Sequence, residues 1–273
     1  MFFKRTDNLT SNLTSYDFLK CATLIFMICD HIGAFFFPEQ TWWRVVGRMG
    51  FPAWFFLAGF SRGREISQTL WIGAAMVIFG NFVFGQYMFP ANALVSFICI
   101  RLFIAHFYKQ IFARWEFLLY ATIICLILSI PTNFLFEYGT LVFLLAMFGY
   151  AVRNKDDLNI NKEIYFIFSV VVMLSVVGIQ IITFGFNQAQ SIVCLVEMAF
   201  IGTILYHFKS CEYPKLTEST PPLIKKGIQF GGRYTLEIYV IHLLMIKAYL
   251  LYADYGHYDW FSPTYFMNFP QPH

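Results

Sequence analysis

Asp30 and His31 are adjacent ionisable residues inside an apolar run, with Leu24 to Ile28 before them and Gly33 to Phe37 after. An ionisable side chain within a lipid-spanning segment costs about 2.5–3.5 kcal/mol on insertion scales, so such residues face a protein interior and usually carry function. Histidine takes and gives protons near neutral pH, which suits a general base. Lys20 precedes His31 by eleven positions. Eleven residues are about three helical turns, so both fall on one stripe, roughly 16 Å apart. Asp17, Leu24 and Met27 share that stripe. On a straight helix Asp30 points about 100° away from His31. It is therefore expected to pair with Arg44 or Arg48 across the following turn, not with His31.

Three further groups invite chemistry. Arg44 and Arg48 are four apart and share a helix face; Arg48 leads into Gly50-Phe51-Pro52. They either pair with Asp30 or contact an anion or an acyl carbonyl. Pro52 lacks an N–H and suits a first helical turn. In Gly231 to His242, Arg233 and Glu237 are an i,i+4 pair that can brace each other. Tyr239 and His242 are three apart and can face one cavity, with a hydrogen-bonded core histidine as the alternative for His242 and for His31. Arg101 and Glu197 are buried opposite charges for which a structural ion pair is expected. His106 has no evident partner.

These residues need helices to position them. The 273 residues are 58% hydrophobic and only 13% charged, far below the roughly 25% charge of a soluble domain. Mean hydropathy is +0.59. The fold class is all-α: a polytopic integral membrane bundle of nine spans, with ten as the alternative count. A span needs about 20 apolar residues, which places them near 18–37, 43–61, 68–88, 91–108, 116–132, 136–152, 164–185, 189–208 and 234–253. The whole chain, 1–273, reads as a single domain. The connections after the second, fourth, sixth and eighth spans are basic, and those after the third, fifth and seventh hold no Lys or Arg. Fifteen of the 19 basic residues thus lie on one side, which the positive-inside rule assigns to the cytoplasm. The N-terminal segment 1–17 is then cytoplasmic, and the aromatic tail 254–273 lies in the extracytoplasmic interface. Arg44, Arg48, Arg101 and Lys247 fall outside this pattern; Lys247 is expected to snorkel outward. The six cysteines are scattered without a C-x-x-C pair, so neither a metal site nor a disulfide framework is expected.

The run Asp17-Phe18-Leu19-Lys20, Asp30-His31, Arg44-x3-Arg48 with Gly47-Arg48-x2-Phe51-Pro52, and Thr235-Leu236-x2-Tyr239-x2-His242 resembles the TraX family, named for a membrane protein that acetylates the N-terminus of a conjugative pilin. That family is similar in turn to the acyltransferase-type-three superfamily, whose Arg/Lys-x10-His spacing Lys20 and His31 match. The resemblance implies acyl transfer from cytoplasmic acetyl-CoA, or another acyl-CoA, to an amine or hydroxyl. The acceptor would be a pilin, a glycan or a lipid; no metal and no nucleic acid are implied. His31 would be the base, with Asp30 and Arg48 beside it. Lys20, Arg62, Arg64 and Arg153 are candidates for the CoA phosphates by position, and Arg44, Tyr239 and His242 for substrate contacts. A bacterial inner membrane is the implied location. The rival is a proton-coupled transporter or flippase using Asp30, His31, Arg101 and Glu197.

Overall fold

The computed structural model describes residues 10–63, 65–158, 161–253 and 259–265. Twelve helices make up the described chain, without a regular strand. The two exceptions are isolated bridges, Thr14 to Glu212 and Ala91 to Phe136. Helices satisfy their own backbone hydrogen bonds, which lipid cannot do for them.

The order is α1 (Ser15–Phe36), α2 (Trp42–Arg48), α3 (Phe51–Phe60), α4 (Gln68–Val83), α5 (Ala93–Ile111), α6 (Trp115–Thr132), α7 (Leu141–Arg153), α8 (Lys162–Phe184), α9 (Gln188–Tyr206), α10 (Pro214–Ser219), α11 (Pro222–Arg233) and α12 (Thr235–Tyr252). Five helices, α1, α6, α8, α9 and α12, are long and apolar enough to cross a membrane. Their outward residues are apolar, as with Ile127, Ile130 and Ile182, a surface that suits hydrocarbon.

The predicted second, third and sixth spans are shorter than expected. The second breaks into α2 and α3, because Pro52 cannot donate to the carbonyl of Arg48 and its ring crowds that turn. α7 has 13 residues, which at 1.5 Å per residue falls short of a 30 Å hydrocarbon core. α3 and α7 are buried almost all round, the pattern of central helices. They meet through glycines: a side chain at Gly59 would overlap the Ala146 backbone, and one at Gly149 would overlap the Phe56 carbonyl. The basic connection after the eighth predicted span carries α10 and α11.

α1 is the common surface. A capping box starts it: the Thr14 hydroxyl accepts from the Asp17 amide at 3.1 Å, and the Asp17 carboxylate accepts from the Thr14 amide at 3.0 Å. The Ser15 amide donates to the Cys211 carbonyl at 3.0 Å. Glu212 accepts from Thr10 and Asn12, both at 2.9 Å, and these bonds, Asn12's first, hold its carboxyl below the ordinary carboxylate value. α11 seats Gly231 on Cys21 and Gly232 on Asp17, where a Cβ would meet the Asp17 carbonyl oxygen at 2.6 Å. At the far end Gly47 of α2 lies against the Asp30 backbone. Residues 259–265 of the tail fold onto the connection between α4 and α5, with Phe89 donating to the Tyr265 carbonyl at 2.8 Å; the rest of the tail and residues 1–9 lie outside the described residues.

Gly149→Ala is expected to lower thermal stability in detergent, by about 1–3 kcal/mol for an overpacked contact. Gly178→Ala, in α8 with open space around it, is expected to raise stability by up to about 1 kcal/mol. Equal and small effects at both positions would contradict the α3–α7 crossing.

Candidate active site

A cavity of about 350 Å³ runs between α1, α3, α5 and α12, with the connections near residues 61–67 and 137–138 closing it. That is within the size range of small-ligand sites. Lys20, Met27 and His31 of α1 line it, so the predicted stripe faces one space. Its other two members do not: Leu24 packs in the interior, and Asp17 is taken by Arg233. Eleven residues of helix set Lys20 and His31 about 16 Å apart along α1.

At one end stand two histidines. His31 Nδ1 is 2.7 Å from His242 Nε2, and His242 Nδ1 is 2.8 Å from the Ile238 carbonyl oxygen. The two rings are nearly coplanar, 17° apart with centroids at 4.9 Å. A carbonyl oxygen only accepts, so His242 Nδ1 carries a hydrogen. In the neutral imidazole its Nε2 is then the acceptor. His31 Nδ1 must therefore be the donor, which leaves His31 Nε2 with a free lone pair. His31 lines the cavity and His242 stands behind it. The expectation that Tyr239 and His242 share the cavity wall holds for Tyr239 alone.

Asp30 binds both arginines. Arg44 Nη1 lies 3.0 Å from Asp30 Oδ1 and 3.1 Å from its backbone carbonyl; Arg48 Nε lies 3.2 Å from Oδ1. Phe184 lies under both guanidiniums, 4.6 Å from Arg44 and 4.9 Å from Arg48, and Tyr138 lies 4.9 Å from Arg48. Contacts of this kind favour a cation over a ring face. Arg48 and Asp30 still line the cavity, whereas Arg44 sits behind them. Asp30 thus serves both the arginines and the cavity wall.

Several expected contacts form differently. Arg233 pairs with Asp17, Nε to Oδ1 at 2.9 Å and Nη2 to Oδ2 at 3.1 Å, and not with Glu237. The capping geometry of α1 places Asp17 within its reach, and a two-bond guanidinium–carboxylate pair is strong. Arg101 does not meet Glu197. It donates to the Gly63 carbonyl and lines the cavity, while Glu197 lies half-buried on α9 outside that lining. Lys247 does not snorkel: it is buried and donates to Asn81 of α4. Arg153 is drawn to the end of α3, donating to the Phe60 carbonyl at 3.2 Å. Arg62 is exposed, next in the chain to the cavity-lining Ser61, His106 is bonded to the Leu102 carbonyl at 2.9 Å, and Arg64 lies outside the described residues.

Two lining residues, Glu137 and Trp54, were missed in the sequence. Glu137 follows α6 and has Arg48 and Lys247 as charged neighbours. As a carboxylate within a predicted span it carried the same signal as Asp30. Trp54 and Tyr239 present a buried indole N–H and hydroxyl, neither with a well-formed protein hydrogen bond. Nothing in the sequence singles out Trp54 among the surrounding aromatics.

The fold and this cavity define a helical membrane protein with a hydrogen-bonded histidine pair at one wall of an internal cavity. The family model described as TraX protein matches residues 15–247, and the chain belongs to the TraX family. It is also 26% identical over 256 residues to the uncharacterized protein RP591 of Rickettsia prowazekii (strain Madrid E), covering 92% of this chain and 99% of that protein. No solved structure matches.

Asp30→Asn removes the charge that two guanidiniums share. Breaking a buried pair costs about 3–5 kcal/mol, so its thermal midpoint in detergent is expected to fall well below that of wild type. Glu197→Gln breaks no ion pair among the described residues and is expected to leave stability level or higher. The opposite order would remove Asp30 from its structural role.

Proposed function

We propose that the protein is an integral membrane acyltransferase that moves an acetyl group from cytoplasmic acetyl-CoA to an amine or hydroxyl acceptor. The observation that carries this reading is His31 in the cavity wall, its Nδ1 bonded to His242 so that Nε2 is left to accept a proton. TraX family membership supports it, and the Lys20-x10-His31 spacing resembles the wider acyltransferase-type-three pattern. Nine crossings of a bacterial inner membrane, with the N-terminus cytoplasmic and the C-terminus outside, complete the proposal. The acceptor class is a pilin N-terminus, a glycan or a lipid.

In the reaction His31 Nε2 takes the proton of the acceptor N–H or O–H as that atom attacks the thioester carbonyl. The tetrahedral adduct collapses, the carbon–sulfur bond breaks, and His31 returns the proton to the leaving thiolate. Ile238 and His242 keep the ring in the tautomer that can accept. Arg48 and the Tyr239 hydroxyl are the nearby donors for the charge that develops on the carbonyl oxygen. Asp30 holds Arg48 in place. Positioned proton transfer typically supplies about 10²–10⁴-fold, and confinement of both reactants in a dry channel supplies much of the remainder. The spacing of His31 from Lys20 suits the donor's pantetheine arm, with the phosphates toward Lys20 and Arg62.

The transporter reading required Asp30, His31, Arg101 and Glu197 to form one relay. Glu197 stands outside the cavity that holds the other three, so the four residues do not share one cavity.

Purified protein in detergent should release CoA thiol from acetyl-CoA. His31→Ala is expected to lower that rate by about 10²–10⁴-fold, and His242→Ala to lower it less. A full rate in His31→Ala would remove His31 from the chemistry.

A further inference from the structure

Among the described residues most charges inside this bundle are answered by partners; Glu197, whose Oε2 is buried without a hydrogen-bond partner, stands apart on α9. Asp30 has Arg44 and Arg48, and Asp17 has Arg233. Glu137 lies near Arg48 and Lys247. Lys20 and Arg101 differ. Both line the same cavity, they repel each other, and neither forms an ion pair with a carboxylate among the described residues. Asp17 and Glu237 act on Lys20 from a distance, but Asp17 is committed to Arg233. Lys20 lies 5.9 Å from the Tyr16 ring. Arg101 donates to the Gly63 carbonyl, which anchors its guanidinium at the loop between α3 and α4.

The placement is also directional. α5 begins at Ala93, beside the connection that carries Glu137, with the Glu137 amide bonded to the Ala91 carbonyl at 2.9 Å. Arg101 is eight residues further along α5, roughly 12 Å away, so it lies toward the Lys20 end. The cavity therefore has two uncompensated cations at one end and the histidine base at the other. Between them the wall is largely apolar: Met27, Leu57, Ala58, Leu94 and Phe97. Two like charges side by side in the cavity wall repel, and an anion between them relieves that repulsion.

We propose that Arg101 and Lys20 together form an anion subsite that takes the diphosphate of a phosphorylated, long-armed acyl donor. This rests on the acetyl-CoA reading and adds Arg101 as a positioning residue for that donor. Arginine's planar fork suits a phosphate, and Lys20 adds a point charge on the same group. Phosphate esters reach such a site from two sources, the donor and a membrane lipid headgroup. The channel favours the donor, because it leads from the cations to the base.

The test compares binding of CoA with binding of pantetheine, which has the arm and thiol but no phosphate, by calorimetry on purified full-length protein in nanodiscs. Wild type is expected to bind CoA at least tenfold more tightly than pantetheine. Arg101→Gln is expected to bring that ratio below threefold, and Arg101→Lys to restore part of it. Because the readout is a ratio within one preparation, a general loss of folded protein does not imitate it. Pantetheine and CoA bound alike by wild type would overturn the subsite; in nanodiscs containing phosphatidylglycerol, equal binding would assign the cations to lipid phosphate instead. An undiminished ratio in Arg101→Gln would overturn the role of Arg101 while leaving the acyltransferase reading standing. Failure of both compounds to bind wild type would bring down that reading and the subsite with it.

Discussion

Because a carbonyl oxygen has no proton to give, the bond between Ile238 and His242 decides the state of both histidines. His242 must donate from Nδ1, so its other nitrogen must accept, so His31 must donate to it. Each step follows from the one before, and the last leaves a lone pair on Nε2 of His31, a residue of the cavity wall. The bond lies within α12, where the Ile238 carbonyl and the His242 ring are one turn apart. The helix thus sets the tautomer of a residue on another helix.

That arrangement survives only if α1 and α12 keep their register, and small residues do most of this. Gly47, Gly231 and Gly232 bring α2 and α11 onto the backbone of α1 at its two ends. Where there is little hydrophobic force between helices in lipid, close backbone approach and buried polar bonds hold the bundle together. Asp17 with Arg233 fixes the lower register, and Lys247 with Asn81 ties α12 to α4. Asp30 with its two arginines closes the other end. The break before Pro52 matters here as well: it frees α2 to bring Arg44 and Arg48 back toward Asp30.

Much of the cavity wall was legible in the sequence because it is local. The eleven-residue interval between Lys20 and His31 is a property of one helix, and any helix with that interval shows both on one face. The reach of Asp30 to Arg44 and Arg48 spans a short turn and was legible for the same reason. What failed was pairing by charge sign across distant helices. Arg101 and Glu197 are opposite in sign but lie on helices with different neighbours, and Arg233 found Asp17 because α11 packs on the start of α1. Helix length was also hidden. Hydropathy cannot tell a central helix such as α7 from a lipid-facing one, since both are apolar; only packing shows that α3 and α7 are short and enclosed. The meeting of His31 with His242 spans most of the chain and had no local signature.

The tautomer of His31 can be read directly by nitrogen NMR on histidine-labelled protein in nanodiscs at pH 8, above the ordinary histidine pKa of about 6.5, with His31→Gln used to assign the signal. The predicted result is a neutral ring with hydrogen on Nδ1 and none on Nε2, and a matching Nδ1–H form for His242. A His31 ring protonated at Nε2 would mean that no base faces the cavity, and would contradict the proposed chemistry at its first step.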